Sequence, residues 1–180
     1  MRWRDIGDMT CSVARTLSVI GDRWTLLILR DAFLRTRRFE DFQTSLGMTR
    51  HRLADRLAKL VEAGIFERVP YQDAPERFEY RLTEKGRDLY PVIASLVAWG
   101  DRWMSGRKGP PLELVHRDCG HVMTPTFACS ECRTPLSARD VEARPGAELR
   151  RQWKKLEERK RRHRETRKKP GPAPAGPEIR

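Results

Sequence analysis

Apolar residues fall in regular stripes along the first hundred positions and thin out after them. SVARTLSVIG predicts a helix ending at Gly21, and the run at 24–34 predicts a second helix apolar enough to be buried on most sides. RFEDFQTSLG puts Phe39, Phe42 and Leu46 on one stripe and stops at Gly47, a residue suited to a helix C-cap. In MTRHRLADRLAKLVEAG, Thr49 is a good N-cap, and Leu53, Leu57, Leu60 and Val61 recur at the spacing of an inward helical face. At about 100° per residue, His51, Arg52, Asp55 and Lys59 lie on the opposite side, and Gly64 ends the helix.

Two strands follow. IFERVPY and RFEYRLT flank QDAPE, a loop with turn chemistry, and Phe78, Tyr80 and Leu82 alternate with Glu79 and Arg81 as a half-buried hairpin requires. Thr83 then caps one long helix, EKGRDLYPVIASLVAWGDRWM, which Pro91 should kink. Within it Leu89, Ile93, Leu96, Gly100 and Trp103 form a seam suited to a partner helix.

This order of elements predicts a mainly α fold with a small β-hairpin wing: a winged helix-turn-helix. A helix fits the major groove, its first turn reaches base edges, and arginines with backbone amides hold phosphates. The residues placed to do so are Thr49, Arg50, His51, Arg52, Asp55, Arg56 and Lys59, with Arg77 at the hairpin tip. A basic outer face alone is usually only solvated. The preceding helix, the glycine-marked turn and the hairpin tip the reading toward double-stranded DNA.

The stretches GDRWTLLILRD, LADRLAKLVEAGI and YRLTEKG, within a similarity running from Cys11 to Trp103, closely resemble the HxlR family of transcriptional regulators. The resemblance implies a cytoplasmic homodimer, most often a repressor, whose first and last helices form the dimer contact. It also implies that two recognition helices read a palindromic operator. Related members often carry a cysteine where Cys11 opens the first helix, and some sense quinones, aldehydes or oxidants through it. A thiol at a helix N-terminus is placed to react as thiolate; the alternative is a small residue packed at the dimer seam.

Charge changes the picture less than it first suggests. Of the formal net charge of +12, a net +9 sits in residues 150–180, so the overall basicity does not by itself make the folded part a DNA binder. The tail could neutralise several phosphates or merely solubilise the chain. From Arg144 onward it is too poor in apolar residues to build a core and is expected to be largely disordered, with RRQWKKLEERKRRHRE able to form a transient or DNA-induced helix. No internal repeat is evident. Nor is there a signal peptide or an apolar run long enough to span a bilayer, which points to the cytoplasm and to no membrane partner.

The remaining cysteines cluster. In LVHRDCGHVMTPTFACSECRTPL, CSEC is a C-x2-C turn, and HRDCG resembles the companion knuckle of a zinc ribbon. His116, Cys119, Cys129 and Cys132 would complete a closed, structural Cys3His site for zinc; His121 could replace His116, and reduced thiols are the other reading. The expected organisation is a DNA-binding and dimerisation domain at 1–106, a linker at 107–111, a zinc-ribbon-like segment at 112–143 and the basic tail at 144–180. An enzyme is not expected: the presumed ligands fill all four metal positions, and no Ser/His/Asp or phosphate-binding glycine pattern occurs. The competing functional reading is a non-specific nucleic-acid binder driven by the tail and the Cys/His segment.

Overall fold

The structure, a computed structural model, describes residues 3–168 and falls into two compact units, Met1–Leu136 and Ser137–Arg180. The first opens with a 3-10 helix, Trp3–Asp8, followed by α1 (Ser12–Ile20), α2 (Arg23–Phe33), α3 (Phe39–Leu46) and α4 (Arg50–Glu62). The hairpin β1 (Phe66–Asp73) and β2 (Glu76–Leu82) comes next, then α5 (Glu84–Arg87) and α6 (Tyr90–Met104). Mainly helical with one antiparallel hairpin, this is a winged helix-turn-helix, as the periodicities require.

The core forms where the stripes converge. Ile28 and Leu29 of α2, Phe42 of α3, Leu53, Leu57 and Leu60 of α4, Phe66 of β1 and Ile93 of α6 belong to one buried cluster. Phe42 and Tyr80 both meet Phe66 edge-to-face, the arrangement that ring quadrupoles favour. From Trp24 to Phe33 every residue of α2 is buried or half-buried. Asp22 starts that helix by accepting hydrogen bonds from the Trp24 and Thr25 amides at 3.0 and 3.2 Å. Gly47 closes α3 at φ 61°, a left-handed conformation in which a side chain would be strained.

Four expectations need correction. Thr49 stands at the N-cap of α4, but its side chain accepts no capping hydrogen bond. The strands run past their expected ends to Asp73 and Glu76, so the loop shrinks to Ala74 and Pro75. The hairpin also gains a short third edge: the Tyr80 amide donates to the Arg37 carbonyl at 2.8 Å, and Arg38 bridges Glu79.

The long helix after Thr83 is in fact two. Proline has no amide to donate to the carbonyl four residues back, and its ring crowds that carbonyl. The chain therefore turns at Asp88 and Leu89 and restarts with Pro91 in the first turn of α6, where proline is favoured. The expected seam is split between core and surface. Leu89 and Ile93 pack into the protein's own core, while Val92, Leu96, Trp99 and Trp103 lie exposed, Trp99 at 60% and Trp103 at 65%.

In the second unit, the tail forms α7, Ala147–Lys168, which contains the stretch whose helix the sequence allowed. Its composition explains this. No glycine or proline interrupts residues 147–169, the residues are strong helix formers, and Glu148 pairs with Arg151 at 2.6 Å. Residues 169–180, which the tail reading includes, lie outside the described part.

Candidate nucleic-acid interface

The first turn of α4 stands clear of the core because the leucines that anchor this helix occupy the other face. Arg50, His51 and Arg52 are exposed, as are Thr49, Asp55 and Lys59, whereas Leu53 and Leu57 are fully buried. The sequence thus separates a packing stripe from a reading face on one helix. Arg50 does not float freely: its guanidinium lies over the Phe39 ring, 4.8 Å from the centroid. Stacking of this kind holds a cation in place without neutralising it.

Not every basic residue of α4 is equally available. Lys59 donates to Asp55 at 2.9 Å, and that bond, ahead of the nearby charges of Lys59, Arg56 and His51, holds the Asp55 carboxyl below its ordinary range. Arg56, half-buried, lies 3.3 Å from Asp22. Arg50 and Arg52 therefore stand nearest to anions as uncommitted positive charges, while Arg56 and Lys59 already face carboxylates.

The wing supplies the second wall. Arg50 and the tip residue Arg77 line one groove of about 380 Å³ with aromatic residues of α3 and the hairpin, and the carboxylates Glu40 and Glu76 share its walls, so it is of mixed charge. On the hairpin, Arg68 lies 3.8 Å over the Phe78 ring and Arg38 lies 4.6 Å over Tyr71. These stacked arginines were not singled out from sequence; the aromatic residues around Arg68 were the available signal, and Arg38, which precedes α3, had none. The arrangement presents guanidinium groups from a helix and a hairpin on either side of a shared cleft, suited to a phosphate backbone beside a groove.

A model of the HxlR-like helix-turn-helix family matches residues 19–108. This chain belongs to that family. Among relatives of this HxlR-type chain, Rv3095 of Mycobacterium tuberculosis, described as an uncharacterized HTH-type transcriptional regulator, is 49% identical over 135 residues, 75% of this chain and 85% of the relative. The crystal structure of PA1607, a candidate transcription factor, matches with a TM-score of 0.70 at 38% identity, covering 78% of this chain and 98% of that one. PA1374 from Pseudomonas aeruginosa, also a candidate transcription factor, matches at 0.56 and 34% identity over 79% of this chain and 99% of that one. An HxlR-type chain is a DNA-binding transcriptional regulator and not an enzyme. Among the described residues no helix is long and apolar enough to cross a membrane.

The structure places the other singled-out residues as follows. Cys11 is an exposed free thiol at the N-cap position of α1. His116 Nδ1 and Cys119 Sγ are 3.3 Å apart. The Cys132 thiol donates to the Thr134 hydroxyl at 3.3 Å, and hydrogen bonding with Thr134 and then Cys129 holds its pKa below the ordinary range. The two pairs are not brought together: among the described residues no three His, Cys, Asp or Glu side chains are grouped to hold a metal ion.

Proposed function

We propose that this HxlR-type chain acts in the cytoplasm as a homodimer that represses transcription by occupying a palindromic operator. The observation that carries the reading is the exposed first turn of α4, Arg50 to Arg52, set across one groove from Arg77 of the wing. In the proposed complex α4 enters the major groove, with His51 and Arg52 toward base edges and Arg50 and Arg77 toward phosphates. Two copies would then meet half-sites about 34–36 Å apart on one face of the duplex. Dimerisation is assigned to α1 and α6, where Val13, Leu17, Val92, Leu96, Trp99 and Trp103 are all exposed. Apolar side chains repeating along a helix at this spacing are stable in water when a partner covers them.

Regulation by an oxidant or electrophile is assigned to Cys11, whose exposed thiol begins α1 on that same unit. The test is fluorescence anisotropy with DNA from upstream of the protein's own gene against a scrambled duplex, before and after a thiol oxidant. Preference for the upstream DNA that oxidant abolishes, and that Cys11→Ser makes insensitive, is the expected result. Equal binding to every candidate operator and scrambled duplex would overturn the operator reading, and an unaltered oxidant response in Cys11→Ser would remove the sensor.

The basic α7 favours a second reading, a charge-driven binder without sequence preference. Ending the chain at Ala143 separates the two. The operator reading predicts retained preference at reduced overall affinity; the charge-driven reading predicts loss of nearly all binding.

A further inference from the structure

The Cys/His segment of the first unit has no part in the DNA-binding reading, yet its backbone is one structure written twice. In the first loop the His116 amide donates to the His121 carbonyl at 3.0 Å and the Gly120 amide to the His116 carbonyl at 2.8 Å. In the second the Cys129 amide donates to the Thr134 carbonyl at 2.9 Å and the Arg133 amide to the Cys129 carbonyl at 3.0 Å. Below each loop the legs join in the same register: Val115 bridges Val122, and Ala128 bridges Pro135. One step further, Met123 donates to Leu114 at 2.7 Å and Leu136 donates to Phe127 at 2.8 Å. The residue after the second sulfur-bearing position is left-handed both times, Gly120 at φ 71° and Arg133 at φ 60°.

Superimposing the loops by this register pairs His116 with Cys129 and Cys119 with Cys132. His121 pairs with Thr134, which has no metal-binding group of the same kind. The repeat therefore distinguishes the two histidines where spacing alone did not. The sequence suggests the two knuckles as companions, but only Cys119 and Cys132 are common to both, so the full register comes from the backbone.

A loop of this form directs the side chains at its first and fourth positions to the same side, which is how two ligands grip one tetrahedral ion. The segment has little else to hold it. Val115, Val122, Phe127 and Leu136 are all exposed, and Arg133 adopts a conformation that costs a residue with a side chain about 1–2 kcal/mol. We propose that His116, Cys119, Cys129 and Cys132 bind one structural Zn²⁺, two ligands from each loop. His116 ligates through Nδ1, the nitrogen on the Cys119 side, leaving Nε2 toward Asp118, 3.9 Å away. A carboxylate behind a metal-bound imidazole orients the ring and raises its basicity.

The two halves stand apart in this structure, so the ion supplies the link between them that packing does not. On binding, three thiols release their protons to solvent and coordinate as thiolates, while the imidazole binds neutral. No redox change is involved. The legs below the first loop also face α6 across a groove of about 640 Å³ lined by Trp99, Trp103, Leu114 and Val122, so closing the site would fix this segment beside the helix assigned to dimerisation.

The test is zinc content of the full-length protein as purified, followed by replacement with Co²⁺ and absorption spectroscopy. The expected result is one zinc per chain, thiolate-to-cobalt charge transfer and the strong visible bands of a tetrahedral cobalt site. His121→Ala should leave spectrum and affinity unchanged. His116→Ala should weaken binding by more than the roughly 10–100-fold that loss of an outer partner costs, and His116→Cys should restore it with a shifted spectrum. Metal-free protein that gives only weak octahedral cobalt absorption would overturn the site. Loss on His121→Ala with none on His116→Ala would overturn the ligand assignment. Far-ultraviolet circular dichroism of each variant distinguishes either outcome from failure to fold.

Discussion

Arg56 Nη2 lies 3.3 Å from Asp22 Oδ2, while Oδ1 of the same carboxylate accepts two amides of α2. The two amides are those of Trp24 and Thr25, the second and third residues of α2, so one side chain caps one helix and holds another. Asp22→Ala removes a cap worth about 1 kcal/mol together with the partner of Arg56, whereas Arg56→Ala removes only a partly exposed ion pair worth about 0.2–1 kcal/mol. Urea unfolding should rank Asp22→Ala as the more damaging. Equal losses would mean that the cap contributes nothing beyond the pair.

Commitment of Arg56 to Asp22 sets an order among the basic residues at the DNA. Arg77→Ala should lower the salt dependence of binding by about one phosphate contact and leave sequence preference intact. Arg52→Ala should relax the preference by about 1–3 kcal/mol at one position of each half-site. Arg56→Ala should do less than either. Anisotropy titrations at several salt concentrations read all three, and a larger effect for Arg56 than for Arg52 would refute the assigned orientation of α4.

Burial of Trp99 and Leu96 by a second copy predicts that Trp99→Glu, which adds a charge to that surface, converts the protein to a monomer with unchanged helix content. Sedimentation velocity with circular dichroism checks both parts. A dimer that survives the substitution would move the interface off α6. The variant should also bind a single half-site about as well as the full palindrome.

Gly86 has no room to grow. A Cβ there would sit 2.2 Å from the Ile65 carbonyl oxygen and 3.0 Å from Leu82. The hydroxyl of Thr83 donates to the carbonyl of Gly64 at 2.6 Å and accepts the Gly86 amide at 3.1 Å, so the backbone is pinned on both sides. Gly86→Ala should lose about 1–3 kcal/mol by overpacking. An unchanged thermal midpoint would show that the end of β2 yields more than these contacts indicate.

The sequence was most legible where one face of a helix had to be apolar. Leu53, Leu57 and Leu60 are buried as their spacing requires, and the exposed first turn of α4 follows from the same periodicity. It was least legible where a single backbone donor decided the outcome. Pro91 promised a kink and produced two helices, because the turn at Leu89 lets Val92 and Ile93 bond back to the Leu89 carbonyl at 3.1 and 3.2 Å. Of the seam read from the heptad spacing, Leu89 and Ile93 pack into the chain's own core, while Leu96 and Trp103 stay exposed. The helix allowed for the tail is seen as α7: lack of apolar residues rules out a core, but the intrinsic helical preference of Glu, Lys and Arg does not depend on one. The edge contributed by Arg37 and Arg38 had no period to reveal it, being two residues long.

That short edge has a mechanical meaning. Because the Arg37 carbonyl is bonded to Tyr80, the hairpin is fastened to the entrance of α3 as well as to its own connections. In the proposed complex, wing and α4 would act as the two jaws of a calliper whose opening this bond to the start of α3 helps to set. Little conformational freedom remains to be lost when DNA enters between them. The duplex must do the yielding, so sites whose intrinsic groove width and flexibility already suit that opening should be bound more tightly even where no side chain touches a base.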